Sequence, residues 1–201
     1  MKSLTRLMPT NLLPTCLVPT SLLLTGALLS GAASAKEISG VDVAEHIAVE
    51  STQLQLNGAG VRSKFFIDLY VGSLYLPSRT DNITAILDAP TSAVRLNITS
   101  GMITSDKMRD AINDGFDDAT DGNIAEIQTE IDAFMALFSD EIKEGDQFTL
   151  ATDKSFGVTA YKNGEAQATI EGEAFRQALL KIWLGDSPAQ GSLKKAMLGK
   201  Q

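Results

Sequence analysis

Thiols, imidazoles and indoles are scarce in this chain. It carries one cysteine (Cys16), one histidine (His46) and one tryptophan (Trp183) in 201 residues. With so few sulfur and nitrogen donors, no zinc or haem centre is expected, and nothing in the sequence calls for a metal or a cofactor. A Ser-His-Asp triad would have to use His46, and no Gly-x-Ser-x-Gly turn accompanies any serine. His46 reads instead as a residue at a strand edge. Asp117, Asp121 and Gly122 start a calcium-loop pattern, but Ala119 and Gln128 stand where its third and twelfth ligands belong. Gly58-Ala59-Gly60 precedes a strand rather than a helix. No helix N-terminus is therefore at hand for a pyrophosphate, and the motif reads as a tight bend or a close backbone approach.

Basic residues are also in short supply. All 25 acidic side chains lie after residue 35, against 15 of the 17 basic ones, which leaves residues 36–201 with a formal charge of −10. No basic stripe interrupts that surface, so nucleic acid and anionic lipid headgroups are not expected partners.

The first 35 residues read as an export leader. Lys2 and Arg6 give a positive start, a Leu-rich stretch runs from about Leu12 to Leu29, and Ala33-Ser34-Ala35 fits signal-peptidase cleavage. The apolar stretch is broken by Pro14 and Pro19 and is short for a span, so no stable membrane insertion is expected after cleavage. The expected location is periplasmic or secreted. Residues 36–201 would then form one cysteine-free domain, large enough for a single core without disulfides.

Within those residues the hydrophobic period changes twice. Ile38 to Leu76 reads as strands, and the run Lys64 to Leu76 is apolar on both faces, as a central strand covered on both sides would be. Ala93 to Thr99 is a further strand. Ser105 and Asp106 can cap a helix from about Asp106 to Ala119, whose second half is acidic. A second helix is expected from Asn123 to Phe138, with Ile124, Ile127, Ile131, Phe134 and Phe138 on one face. Phe148 to Thr169 returns to strands, turned at Asn163-Gly164, the pair that a two-residue hairpin favours. A helix from Glu173 should stop at Gly185, with Phe175, Leu179, Ile182 and Trp183 on its core face. A short helix should cover Gly191 to Leu198. The order of elements predicts an α+β fold, an antiparallel sheet with helices packed on it.

Four segments in order resemble the chalcone isomerase family, most of all its bacterial, exported branch. They are Asn57-Gly58-Ala59-Gly60-Val61-Arg62 with the strand to Leu76; Ile170-Glu171-Gly172; Trp183 to Pro188; and Ser192 to Gly199. The resemblance implies an open-faced β-sandwich, a large antiparallel sheet under a helical layer with a cleft between them. That family includes isomerases that close a flavanone ring, plastid proteins that bind fatty acids, and members with no known reaction.

By resemblance, the cleft arginine of the family falls on Arg62. Tyr70 stands where isomerases have threonine, but matches the fatty-acid-binding branch, where a tyrosine helps the arginine hold a carboxylate. Thr104 falls on a catalytic tyrosine, Lys107 on a lysine, Ala111 on an asparagine, and a late hydroxyl residue falls near Glu165. With the tyrosine and asparagine missing, much of the support for a developing enolate is gone. One such donor is worth about 10²–10³ in rate.

The resemblance thus implies a non-catalytic protein that binds a small amphipathic carboxylate or phenolic ligand, such as a fatty acid, through Arg62 and Tyr70. The alternative is an intramolecular lyase or isomerase on a chalcone-type enone, with Arg62 polarising an oxygen and Lys107 or Tyr70 assisting. On one straight strand, eight residues would hold Arg62 and Tyr70 about 26 Å apart. They meet only if the chain turns soon after Arg62, at Ser63-Lys64; otherwise Arg62 is a surface residue and Tyr70 a buried one.

Overall fold

The computed structural model describes residues 35–200. The export leader expected over residues 1–35 lies, except for Ala35, outside the described residues. Nine strands and five α-helices follow in the order β1 (Ala35–Ile38), β2 (Val41–Ala44), β3 (His46–Val49), β4 (Thr52–Lys64), β5 (Ile67–Leu76), α1 (Ile83–Leu87), β6 (Thr91–Ile98), α2 (Ser105–Ala119), α3 (Gln128–Met135), β7 (Gln147–Asp153), β8 (Gly157–Lys162), β9 (Glu165–Glu171), α4 (Glu173–Leu184) and α5 (Gly191–Met197). Strands β3 to β9 form one curled seven-stranded sheet in sequence order, every pair antiparallel, and β1 and β2 form a separate hairpin. His46 opens the edge strand of the sheet and is exposed, as its sequence context suggests.

Period-two alternation sends β5 into two cores. Tyr70, Leu74 and Leu76 face the helices, in a cluster with Phe116, Phe134, Phe138 and Phe175. Val71 and Tyr75 face the other side, with Val43 of β2 and Leu54 and Leu56 of β4. The Tyr75 hydroxyl donates to the Ala44 carbonyl at 3.0 Å, which ties the β1–β2 hairpin over that second face. The doubly apolar run in β5 is therefore a central strand covered on both sides.

Three local expectations change. The expected strand Lys64–Leu76 is split by a two-residue turn at Phe65-Phe66, with Lys64 and Ile67 paired across it. The helix expected from Asn123 to Phe138 is α only over Gln128–Met135, between 3₁₀ turns at Ile124–Ile127 and Ala136–Phe138. Ile127, Ile131, Phe134 and Phe138 are buried as expected. Spacings of three and four suit either helix type over so few residues, so the pattern cannot distinguish them. Helix α2 starts one residue early because Thr104 is its N-cap, its hydroxyl accepting from the Lys107 amide at 3.3 Å. Asn163 and Gly164 do make their turn, with φ of 53° and 85°, between paired Lys162 and Glu165.

Candidate functional site

The site begins with two missing side chains in β4. A Cβ on Gly58 would come within 2.1 Å of the Ala196 carbonyl oxygen, and one on Gly60 within 2.6 Å of the Ala196 Cβ. Only glycine lets α5 lie this close to the strand. The motif is thus a close approach inside a strand rather than a bend before one. Asn57 fixes the contact: its side-chain amide donates to the Met197 carbonyl at 2.8 Å, and its oxygen accepts from the Thr80 amide at 2.8 Å.

Helix α5 in turn delivers Gln190, the residue that precedes it. The Gln190 side-chain oxygen accepts from Arg62 Nη1 at 3.2 Å and from the Ser63 amide at 3.0 Å. One guanidinium nitrogen is held, and the remaining donors of its planar fork are left to meet a ligand. Among the described residues no carboxylate lies within ion-pair distance of Arg62.

The turn at Phe65-Phe66 brings the two site candidates together. It comes two residues later than Ser63-Lys64, and it makes Arg62 and Tyr70 direct cross-strand partners. Residues directly opposite in an antiparallel pair share one face, with Cβ atoms about 4.5–5.5 Å apart. Here that face is the helical one, where Tyr70 is buried.

The indole N–H of Trp183, on α4, donates to the Tyr70 hydroxyl oxygen at 3.0 Å. With that oxygen accepting, the hydroxyl proton is free to donate elsewhere. Burial pushes the Tyr70 phenol above its ordinary value, against smaller opposing pulls from the Trp183 N–H and the Arg62 guanidinium. At neutral pH it is therefore a protonated donor beside a cation.

Arg62, Tyr70 and Trp183 line a cleft of about 590 Å³ between the sheet, α2, the end of α4 and the β4–β5 turn. Its walls are largely apolar, with Leu69, Leu96, Met108 and Ile182 among them. Lys107 stands in the wall, its ammonium donating to the Met102 carbonyl at 3.1 Å. Ala111 also lines the cleft and offers no donor. Thr104 is exposed and spent on capping α2, and it is not among the lining residues. Glu165 is exposed at the start of β9, also outside the lining. Asp110, Asp114 and Asp118 form an exposed acidic rim one turn apart along α2.

Sequence reasoning placed Trp183 in the core, where it is, but missed its bond to Tyr70. It also missed Gln190, which no motif marks.

The chalcone isomerase-like family model matches residues 35–199. Among solved structures, the fatty-acid binding protein of Arabidopsis thaliana is similar with a TM-score of 0.67, at 16% identity, over 82% of this chain and 94% of that one. At that identity the likeness is one of fold. No curated protein matches the chain by sequence. Because the family match spans the described residues almost from end to end, the chain belongs to the chalcone isomerase-like family.

Proposed function

We propose that this protein is a non-catalytic carrier, of the family's bacterial exported branch, for a small amphipathic anion such as a fatty acid. The carboxylate lies against Arg62 and Tyr70, and the chain runs into the apolar cleft. The observation that carries this reading is a guanidinium with no acidic partner among the described residues, oriented by Gln190, at the head of that cleft. A guanidinium can grip a carboxylate with two parallel bonds, and a protonated phenol adds a third. A cleft of about 590 Å³ is within the range of small-molecule sites. The similar plant structure is a protein described as fatty-acid binding, which supports the same ligand class.

Native mass spectrometry of protein purified from its own host tests this. Adducts with fatty-acid masses are expected; an empty cleft, with no binding to a panel of fatty acids, would overturn it. Export is part of the proposal, supported by the positive start, the Leu-rich stretch and Ala33-Ser34-Ala35. The N-terminus of the purified protein should then be Lys36.

Tyr70→Phe should weaken fatty-acid binding about tenfold, the value of one hydrogen bond to a charged group. It also leaves the buried Trp183 N–H without its acceptor, so stability should fall by about 1–3 kcal/mol. Equal binding by the variant in a fluorescence titration would remove Tyr70 from the site. The wild type should bind evenly from neutral pH up to about pH 10, the ordinary value of a phenol, because burial keeps Tyr70 protonated beyond it.

Lys107 in the cleft wall is the one feature that favours an intramolecular lyase instead. Because Ala111 offers no donor and Thr104 lies outside the lining, turnover of a chalcone is expected to be no faster than in buffer. A rate clearly above buffer would restore the enzymatic reading.

A further inference from the structure

The β4–β5 turn carries two bulky side chains where almost none belong. Phe65 and Phe66 occupy both central positions with φ of 51° and 66°, the left-handed region that large residues avoid. A two-residue turn of this kind favours Asn-Gly, and the same chain uses that pair at Asn163-Gly164. Strain of this sort persists where it serves a function. Here it holds two aromatic rings in water: Phe65 is 83% exposed and Phe66 106%. Ile67 and Met102 extend the same apolar rim.

We propose that this turn is a reversible docking tip for a lipid surface of zwitterionic headgroups, through which an amphiphile passes between bilayer and cleft. Continuity supports that occupant. Lys64, Phe65 and Ile67 belong to the turn and to the cleft wall at once, so the tip is continuous with the cleft. Area argues against a second copy of the chain: two phenylalanine rings offer about 400 Å², well short of the roughly 800 Å² per partner of a stable interface. Aromatic side chains suit the boundary between headgroups and acyl chains, where an apolar body sits about 5–10 Å deep.

Charge selects the lipid. Lys64 flanks the tip, with its ammonium 5.9 Å from the Phe65 ring centroid. Asp68 at the base of the turn is occupied by the hydroxyls of Ser63 and Ser39, at 2.8 and 3.0 Å. The wider surface is strongly acidic, which disfavours anionic headgroups. Among the described residues no helix is long and apolar enough to cross a membrane.

Flotation with phosphatidylcholine vesicles tests this on the protein purified from its host, and it needs no ligand in the cleft. The wild type should float, and adding phosphatidylglycerol should not increase the bound fraction. A Phe65→Asn/Phe66→Gly variant keeps the turn in its favoured sequence. It should be about tenfold or more weaker in vesicle binding, with a Tm raised by about 2–4 °C. The raised Tm separates lost docking from lost folding. The proposal is overturned if the wild type stays unbound or if the variant floats equally well. Binding that requires phosphatidylglycerol overturns it too. So does a wild-type dimer in ultracentrifugation that the variant abolishes without any vesicle binding.

Discussion

Arg62→Ala is expected to weaken fatty-acid binding about 10²–10³-fold, with little change in thermal stability. A hydrogen bond to a charged group contributes about 1.5–3 kcal/mol, and a forked guanidinium makes two to one carboxylate. Even with partial exposure, about 3–4 kcal/mol corresponds to that range of affinity. Stability should hold because among the described residues Arg62 makes no ion pair and its side chain bonds to Gln190 at the edge of the cleft. Arg62→Lys keeps the charge and loses the fork, so it should fall between the two, about tenfold below wild type. Gln190→Ala frees the guanidinium without removing it and should cost affinity less than Arg62→Ala does. Isothermal titration with one fatty acid reads all three. Wild-type affinity in Arg62→Ala would mean that the anion is held elsewhere.

The largest effect on stability is expected far from the cleft, at Arg176. Its side chain is wholly buried in α4, with Nε and Nη2 bonded to the Glu173 carboxylate at 2.5 and 2.6 Å. Nη2 also donates to the Leu87 carbonyl and so ties the end of α1 to α4, while the buried Nη1 has no partner among the described residues. Alanine here removes a large volume, takes the side-chain donor from the part-buried Leu87 carbonyl and leaves Glu173 with Gln177 as its bonding partner. Truncating a large, fully buried side chain to alanine costs about 2–5 kcal/mol, a large share of the 5–15 kcal/mol of a typical domain. Tm should fall by about 10 °C or more. Arg176→Met with Glu173→Gln should recover part of the loss, because it restores volume without an unpaired charge.

The pair also predicts a pH dependence. Bonding to Arg176 holds the Glu173 carboxyl below its ordinary value. A depressed carboxyl stabilises above its unfolded pKa and loses that contribution as pH falls through its folded one. Wild-type stability should therefore drop on the acid side of pH 4.5, and this component should be missing from Arg176→Ala. Thermal melts at pH 3 to 7 read both, and a variant with wild-type Tm would show that the pair contributes nothing.

Two turns of one geometry show what the sequence could reveal. Asn163-Gly164 was legible because its residues are the ones that positive φ favours. Phe65-Phe66 has the same backbone and the opposite chemistry, so it reads as more strand. That single misreading left the meeting of Arg62 and Tyr70 open, since a straight strand would hold them about 26 Å apart; they are cross-strand partners. The sheet, its doubly covered central strand and α4 followed from period and punctuation, which are local. Gln190 and the Trp183–Tyr70 bond did not, because each joins residues more than a hundred positions apart. Glycines 58 and 60 carried part of that information: they mark where a helix rests on β4, but not which helix.

The central claim is tested most directly by a crystal structure of the protein with a saturated fatty acid bound. The carboxylate should lie within about 3 Å of Arg62 and of the Tyr70 hydroxyl, with the acyl chain between the sheet and α2. A carboxylate at the protein surface, or an acyl chain anywhere but this cleft, would contradict the account.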